Sequence, residues 1–393
     1  MIVVCEMNVR GFTHEEFNAG LLNQLSLASG DEVLYMAESA QVSFVKKIIE
    51  ARLDNNMIQF KGFDINSDED IVENMLNSLN CILCGDKTIK KVIFSSHGVS
   101  CSKKIIDTVL MFKSIDFYFC EHGEIELLLD PIYYHVDKPY RGRKEIDSDM
   151  FERSVEFWND KERFDEHIRK LANLENVRFI VYNKSFFSHE ATSFMKNNTI
   201  VINLPMIYDD KQVVKRELDI PVRIGITPKT MAKDYYMCYE LLKSVNRSSW
   251  RYRGKFEFVF RDWDIGRRVK NTRLYQTADS SREEVMKFYD DIDYMLLLYD
   301  HNRYIISASG VFFDAVSAAI PVLTLDSPSI TQYSNDEIYV GASSVNDLSK
   351  EVCDIIRNFN KDSYLMLRNR IIRKREEYNA YNIELFRKEL SRG

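Results

Sequence analysis

What this chain of 393 residues lacks narrows it first. No apolar run approaches the roughly 20 residues of a membrane-spanning helix; the longest are strand-sized. The start, Ile2-Val3-Val4-Cys5, reads as a buried first strand where a secretory signal would carry a charged leader, so a cytoplasmic protein is expected. Paired cysteines are missing too. Seven are scattered singly apart from Cys81 and Cys84, the pattern of reduced thiols. That pair has the spacing of half a zinc site, but no second close Cys or His pair completes it, and no metal site is predicted. A positive excess is absent: the net charge of −7 argues against a general nucleic-acid binder. No internal repeat is visible.

What is present is the composition of a globular protein, 45% apolar and 29% charged, long enough for two domains. The first third alternates strand and helix: Ile2–Cys5, a helix over His14–Ser29, Glu32–Met36, a helix over Val42–Arg52, Met57–Phe60, a helix over Asp68–Asn80, Lys91–Ser95, a helix over Lys103–Phe112, and Phe117–Cys120. Such βα units predict a parallel sheet covered on both faces. Loops after its strands gather at one edge, where ligands bind. That edge would carry Asn8 to His14, Ser96-His97-Gly98, and Glu121-His122-Gly123-Glu124, three loops holding three of the seven histidines. It is the place for an acceptor or general base.

From Asp130 to Asp165 the pattern weakens to an irregular insertion plus a helix near Phe151–Trp158. Strands Val177–Tyr182 and Thr199–Asn203 follow, and polar residues beyond Leu204 mark a linker. A second alternating set begins with the strand Val222–Ile226. It continues through the loop Thr227-Pro228-Lys229, a helix over Tyr235–Val245, strand Phe256–Phe260 and a helix over Ser281–Tyr289. Then comes a strand–loop–helix–strand unit: Met295–Leu298, a polar loop, the small-residue turn Ser307-Ala308-Ser309-Gly310, a helix over Val311–Ala319, and Val322–Leu325. Free amides at such a helix start carry partial positive charge and suit phosphate; an ordinary capped turn has the same spacing. Val345–Asn358 is a helix, and Asp362–Leu390 one or two charged helices. Two basic stretches stand out. One has ten Lys or Arg against three acids between Lys243 and Arg273; the other is Arg368, Arg370, Arg373, Lys374 and Arg375. Each reads as a solvated face or as contact with an anionic ligand or membrane.

The run Ser281-Arg-Glu-Glu-Val-Met-Lys-Phe-Tyr289, Asp293-Tyr-Met-Leu-Leu-Leu-Tyr299-Asp300, Arg303-Tyr304, Ser309-Gly310-Val311, Asp314-Ala315 and Pro321-Val322 resembles the donor-site half of the GT-B glycosyltransferases. It is most similar to the retaining, family-four-like branch that builds bacterial surface polysaccharides such as capsule and O-antigen. The resemblance spans Val222 to Leu325 and departs at named positions. Ile306 stands where the family has the first of two glutamates, Asp314 replaces the second, and Ala319-Ile320 replaces Gly-Lys before proline.

The resemblance implies an α/β architecture of two Rossmann-like parallel-sheet domains facing a cleft, with C-terminal helices. Residues 1–207 would bind acceptor, 208–220 link, 221–361 bind the nucleotide-sugar donor, and 362–393 form helices crossing back to the first domain. It implies sugar transfer, with retention, from a UDP- or GDP-linked donor to a glycan or lipid-linked oligosaccharide. No cofactor, metal or nucleic acid is implied, and the place would be the cytoplasm or the inner face of the cytoplasmic membrane against anionic lipid. Donor contacts would come from Lys229, Arg261, Tyr299, Arg303, Tyr304, Ser309, Gly310, Val311 and Asp314, with Asp314 on the ribose. His14, Glu16 and His97 are the catalytic candidates; Asn18, Glu121 and His122 the acceptor contacts. A nucleotide-sugar 2-epimerase and a catalytically silent GT-B subunit share this layout.

Overall fold

The computed structural model describes residues 1–11, 14–53, 55–65, 68–98, 102–129, 161–208, 221–262, 269–278, 281–299 and 304–392; for 68–70 and 228–236 it describes the backbone only. The expected helix near Phe151–Trp158, most of the linker, and Arg303 lie outside these residues. The chain forms two compact units: 1–207 with 306–308 and 381–393, and 208–305 with 309–380.

The first unit is built from β1 (Ile2–Glu6), α1 (Glu15–Ser29), β2 (Val33–Glu38), α2 (Ser39–Arg52), β3 (Ile58–Phe63), α3 (Asp68–Gly85), β4 (Lys91–Ser96), α4 (Ser102–Met111), β5 (Asp116–Cys120), α5 (161–172), β6 (Val177–Val181) and β7 (Thr199–Val201). Seven parallel strands lie in the order β3-β2-β1-β4-β5-β6-β7. β1 and β4 are buried along their whole length, as expected of central parallel strands. Strand order reverses direction between β1 and β4, and at such a switch the loops beyond the strand ends diverge and open a crevice. α1 is buried at 13 of its 15 residues, so it has no solvent face of the usual width. Gly20 shows why it can pack so deeply. A Cβ there would sit 2.6 to 2.8 Å from the backbone of Pro205 and Met206.

The second unit holds β8 (Val222–Ile226), α6 (Pro228–Ser248), β9 (Phe256–Arg261), β10 (Thr272–Tyr275), α7 (Arg282–Asp291), β11 (Tyr294–Leu297), α8 (Gly310–Ser317), β12 (Val322–Leu325), α9 (Pro328–Thr331), β13 (Tyr339–Ala342), α10 (Val345–Arg357) and most of α11 (Lys361–Leu390). Its six strands are again parallel, ordered β10-β9-β8-β11-β12-β13, with the switch between β8 and β11. A core of Val222, Ile224, Phe258, Leu296, Leu323, Leu241 and Val352 joins the sheet to α6 and α10.

Several sequence expectations need correcting. α6 begins at Pro228, not Tyr235, so Lys229 lies in its first turn and not in a loop. Proline at the first helical position is pre-set for that start. His14 precedes α1 instead of opening it, with φ of 61°. The strand from Thr199 ends at Val201. β10, α9 and β13 were not expected at all. β10 and β13 are edge strands paired on one side, and β10 is nowhere fully buried, so neither carries an apolar run. The charged C-terminal segment is one helix of 30 residues.

Its basic cluster is not a uniform solvated face. Arg375 is fully buried and donates to the Ser317 carbonyl (2.6 Å), while Arg368 donates to the Ala319 carbonyl (3.1 Å). Both cations complete the C-terminal end of α8, where carbonyls lack helical partners and the dipole is negative. Arg370 pairs with Glu337, Lys374 with Asp336, and Arg373 with Glu377.

Candidate functional site

In the first unit the strand ends at the β1/β4 switch carry a dense set of titratable groups. Glu6, the last residue of β1, is fully buried. Its carboxylate accepts the N–H groups of Asn8 (3.2 Å) and Val9 (3.0 Å), the Asn18 amide (3.1 Å) and the Ser95 hydroxyl (3.1 Å), and the Ser96 hydroxyl reaches it as well. Burial pushes its carboxyl above the ordinary range, against the pull of these donors and of nearby His122. Glu6 thus anchors the loop after β1.

Around that anchor lie two groups of aromatic and histidine rings. His14 stacks on His122 at 4.5 Å between centroids, and Phe17 and Tyr182 close the cluster. His122 Nε2 donates to the Ser95 carbonyl (2.8 Å), which fixes its proton on that nitrogen. The second group is a hydrogen-bonded chain. His97, just past β4, meets Glu121, just past β5, at 3.0 Å through Nε2. Its Nδ1 meets His167 Nε2 of α5 at 3.2 Å, and His167 Nδ1 meets the Ser102 hydroxyl at 2.5 Å. Burial opposes charge on His97, yet Glu121 outweighs it and raises the imidazole above its usual value. Burial, then His97, pushes His167 down to about 3.

Not every expected residue sits where its assigned role needs it. Glu16 is buried, with both carboxylate oxygens 2.9 Å from Arg52 Nη1, so its side chain is engaged in an ion pair. Asn18 is fully buried and spends its amide on Glu6, so it supports the edge from below. His14 and His122 remain half-buried at the edge. His167, Ser102 and Glu6 were missed by sequence reading. Ser102 and His97 reach His167 across 65 and 70 positions, and Glu6 reaches Ser95 and Ser96 across 89 and 90, separations that no local spacing encodes.

In the second unit the strand ends at the β8/β11 switch present a different surface. Ser309 caps α8: its hydroxyl accepts the Phe312 N–H (3.1 Å) and donates to the Tyr299 hydroxyl (2.9 Å). Gly310 is exposed at the first turn, and a Cβ there would meet nothing within 4 Å. The space beside Gly310 is open at this start, while the Phe312 amide is taken up by the Ser309 cap. Tyr299 is buried and positions Ser309; Tyr304, half-buried and at φ of 53°, lies tilted beside it with ring centroids 4.7 Å apart.

Asp314, one turn into α8, pairs with Arg282 at 2.8 Å. Arg282 opens α7 and was not among the expected donor contacts, though it lies within the motif run. Arg261 ends β9, its Nε 3.6 Å from Asp262 and its guanidinium over Phe288. Lys229 lies in the first turn of α6, at the strand end of β8. Ile306, where the motif resemblance would place a glutamate, is fully buried and groups with the first unit, where Glu126 accepts its N–H and that of Ser307 (2.8 and 2.7 Å).

The basic stretch around Trp250, Arg251 and Arg253 is exposed but follows α6 and precedes β9. It therefore lies at the N-terminal ends of the strands, opposite Gly310. A cavity of about 410 Å³, lined by Ile2, Thr88, Lys90, Lys91 and Arg387, opens at the corresponding edge of the first unit, away from the histidines. Among the described residues no group of three or more His, Cys, Asp or Glu is disposed to hold a metal ion, and no helix is long and apolar enough to cross a membrane.

No family model and no curated protein matches this sequence. Solved structures do match its fold. A glycosyltransferase from Rickettsia africae is similar at a TM-score of 0.59 and 11% identity, with 100% of this chain and 99% of that one covered. HepE of Anabaena, solved with UDP-glucose, gives 0.57 and 10% identity over 99% of this chain and 98% of its own. OtsA in its apo form gives 0.57 and 9%, covering 99% and 97%. The two parallel-sheet units are those of the GT-B glycosyltransferase fold.

Proposed function

We propose that this chain is a glycosyltransferase that moves a sugar from a UDP- or GDP-linked donor to a hydroxyl of a growing glycan. The observation that carries this reading is the start of α8. A capped, open helix N-terminus at the strand switch supplies amides and an exposed glycine against which a diphosphate can lie. Ser309, Gly310 and Val311 would cradle the leaving diphosphate. Arg261, Lys229 and Arg303 would neutralise its charge, Asp314 would take the ribose hydroxyls, and Tyr304 would line the base or sugar. Stabilising the leaving group in this way needs no bound metal. His14 and His122, half-buried at the first unit's edge, would contact the acceptor, while buried His97 and Glu121 would support that edge.

The motif resemblance of residues 281–322 to capsule and O-antigen enzymes is what extends the proposal to a lipid-linked oligosaccharide acceptor and to retention at the anomeric carbon. Exposed Trp250 with Arg247, Arg251, Arg253 and Lys255 would rest on anionic lipid at the inner face of a cytoplasmic membrane. Flotation with anionic vesicles at low and high salt tests that contact; no binding in either condition removes it.

A panel of UDP- and GDP-hexoses, assayed for transfer and hydrolysis and paired with calorimetric titration of UDP and GDP, tests the central reading. Transfer with micromolar to millimolar nucleotide affinity is expected. Turnover of donor to its 2-epimer without acceptor would make the chain an epimerase, and failure of every nucleotide to bind would make it a silent scaffold. Inversion is a second stereochemical reading, favoured by one observation, the hydrogen-bonded histidine chain. NMR of the anomeric product separates it from retention.

A further inference from the structure

The cysteines divide by exposure. Of the six described, Cys5, Cys120, Cys238 and Cys353 are buried, the usual place of a free thiol. Burial pushes the thiols of Cys5 and Cys120 up, which keeps them protonated and inert. Cys81 and Cys84 are the exposed ones, and they are also the two that stand three positions apart. Both lie near the end of α3, which buries Ile71, Met75, Leu76, Leu79 and Leu83. At that spacing the two thiols share one side of the helix, clear of the buried face. Packing therefore accounts for neither, and sugar transfer uses neither.

Their spacing selects what the two sulfurs can do together. On a helix, Cβ atoms at i and i+3 are about 5–6 Å apart. A disulfide needs about 3.5–4.5 Å between them, so closing one would distort the end of α3. A tetrahedral zinc ion with Zn–S bonds of about 2.3 Å holds its sulfurs about 3.8 Å apart. Two side chains leaning toward each other reach that separation with the helix intact. Zinc in a closed site takes four ligands. Among the described residues no third His, Cys, Asp or Glu joins the pair, so this chain leaves two positions to be filled from outside.

We propose that Cys81 and Cys84 are half of a tetrathiolate zinc site, completed by the same pair from a second copy of this chain. The arrangement is self-complementary: each α3 supplies two sulfurs, and one ion joins two chains about a two-fold axis. Each thiol releases its proton to water as its Zn–S bond forms. The surface beside the pair allows close approach. Gly85 follows with nothing within 4 Å of a Cβ, and the exposed Asn77 and Asn74, one and two turns back, carry no charge. Four thiolates around Zn²⁺ leave a double negative charge. Lys87, whose ammonium donates to the Leu83 carbonyl (3.4 Å), lies against the same turn in each copy and offsets it. Because α3 runs from β3 back to β4, this turn lies at the end of the first sheet opposite the histidine loops. The site is independent of the sugar-transfer reading.

The test uses the full-length chain, Zn²⁺ as the only ligand and a reductant that is not a thiol. In sedimentation equilibrium zinc should produce a dimer holding one ion per two chains. Zinc kept at about 100 times its dissociation constant should tighten dimerisation about 100-fold. Co²⁺ in its place should give the intense visible absorption of tetrahedral sulfur coordination. Cys81→Ser and Cys84→Ser should each lose both the tightening and the absorption. Their circular dichroism should stay at wild type, since both positions are exposed. Absence of zinc binding, one zinc per monomeric chain, or a zinc-dependent dimer that survives either substitution overturns the proposal. No nucleotide enters these readouts, so a chain that binds neither UDP nor GDP refutes the donor reading and leaves this result standing.

Discussion

The two units carry the same device, a parallel sheet whose strand order reverses once, and they furnish its edge in opposite ways. In the first unit the edge is filled. Glu6, His97 and Glu121 are buried there, each held by side chains or amides from neighbouring elements. In the second unit the edge is left open at one spot, where α8 begins on Gly310 with no neighbour within 4 Å of a Cβ. The difference teaches what each edge can do. Buried titratable groups hold protons at chosen atoms because burial and close charges move their affinities. An open helix start offers fixed partial charge and space, which suits an anion arriving from solvent.

The largest expected effect breaks the open side. Gly310→Asp places a carboxylate where the diphosphate would lie, and nucleotide affinity should fall by about 100-fold or more in calorimetry. Because the position is roomy, circular dichroism and melting should stay near wild type. The contrasting glycine is Gly20, packed against the Pro205–Met206 backbone. Gly20→Ala should destabilise by about 1–3 kcal/mol in denaturant unfolding, since backbone, not a flexible side chain, meets the new Cβ.

A third test reads the filled edge through pH. His167 is held neutral in the fold, down to about 3, while the unfolded chain charges near 6.5. Between those values the unfolded state binds a proton that the native state does not, so this residue costs stability as pH falls through that window and nothing above it. His97 works in the opposite sense. Its raised value stabilises the fold below the unfolded value, and that gain is lost as pH rises through the folded one. The difference in unfolding free energy between wild type and His167→Gln should therefore move in the variant's favour by about 2 kcal/mol on going from pH 7 to pH 5.

Smaller effects sharpen the donor side. Asp314→Asn should weaken nucleotide binding roughly ten-fold in calorimetry by removing an acceptor for the ribose hydroxyls. Its Arg282 partner keeps only part of that pair shielded, so stability should change by less than about 1 kcal/mol. Ala319, where the motif resemblance would place a glycine, adopts φ of 52° just past α8. Ala319→Gly should raise stability by up to about 1 kcal/mol in thermal unfolding by relieving that left-handed strain.

The fold was legible because both sheets are parallel: Lys91–Ser96, Phe256–Arg261 and Tyr294–Leu297 read as near-continuous apolar runs with turns between them. The edge strands were not, since Thr272–Tyr275 buries nothing fully and has no pattern to show. The open side of the site was legible as well, for Ser309, Gly310 and Asp314 are neighbours in sequence and their geometry is that of one helix start. The filled side was only half legible. His97 and Glu121 end strands and announce themselves, but His167 comes from a helix next to the irregular insertion and meets His97 only through the fold. Glu16 was read as a catalytic candidate from its place beside His14; helix spacing cannot show its ion pair with Arg52.

The division of labour between the two edges is tested most directly by calorimetric titration of UDP and GDP into three proteins: wild type, Gly310→Asp and His97→Gln. The account predicts binding to wild type and to His97→Gln with affinities within about three-fold, and none to Gly310→Asp. Binding that survives Gly310→Asp, or that disappears with His97→Gln in a folded protein, would contradict it.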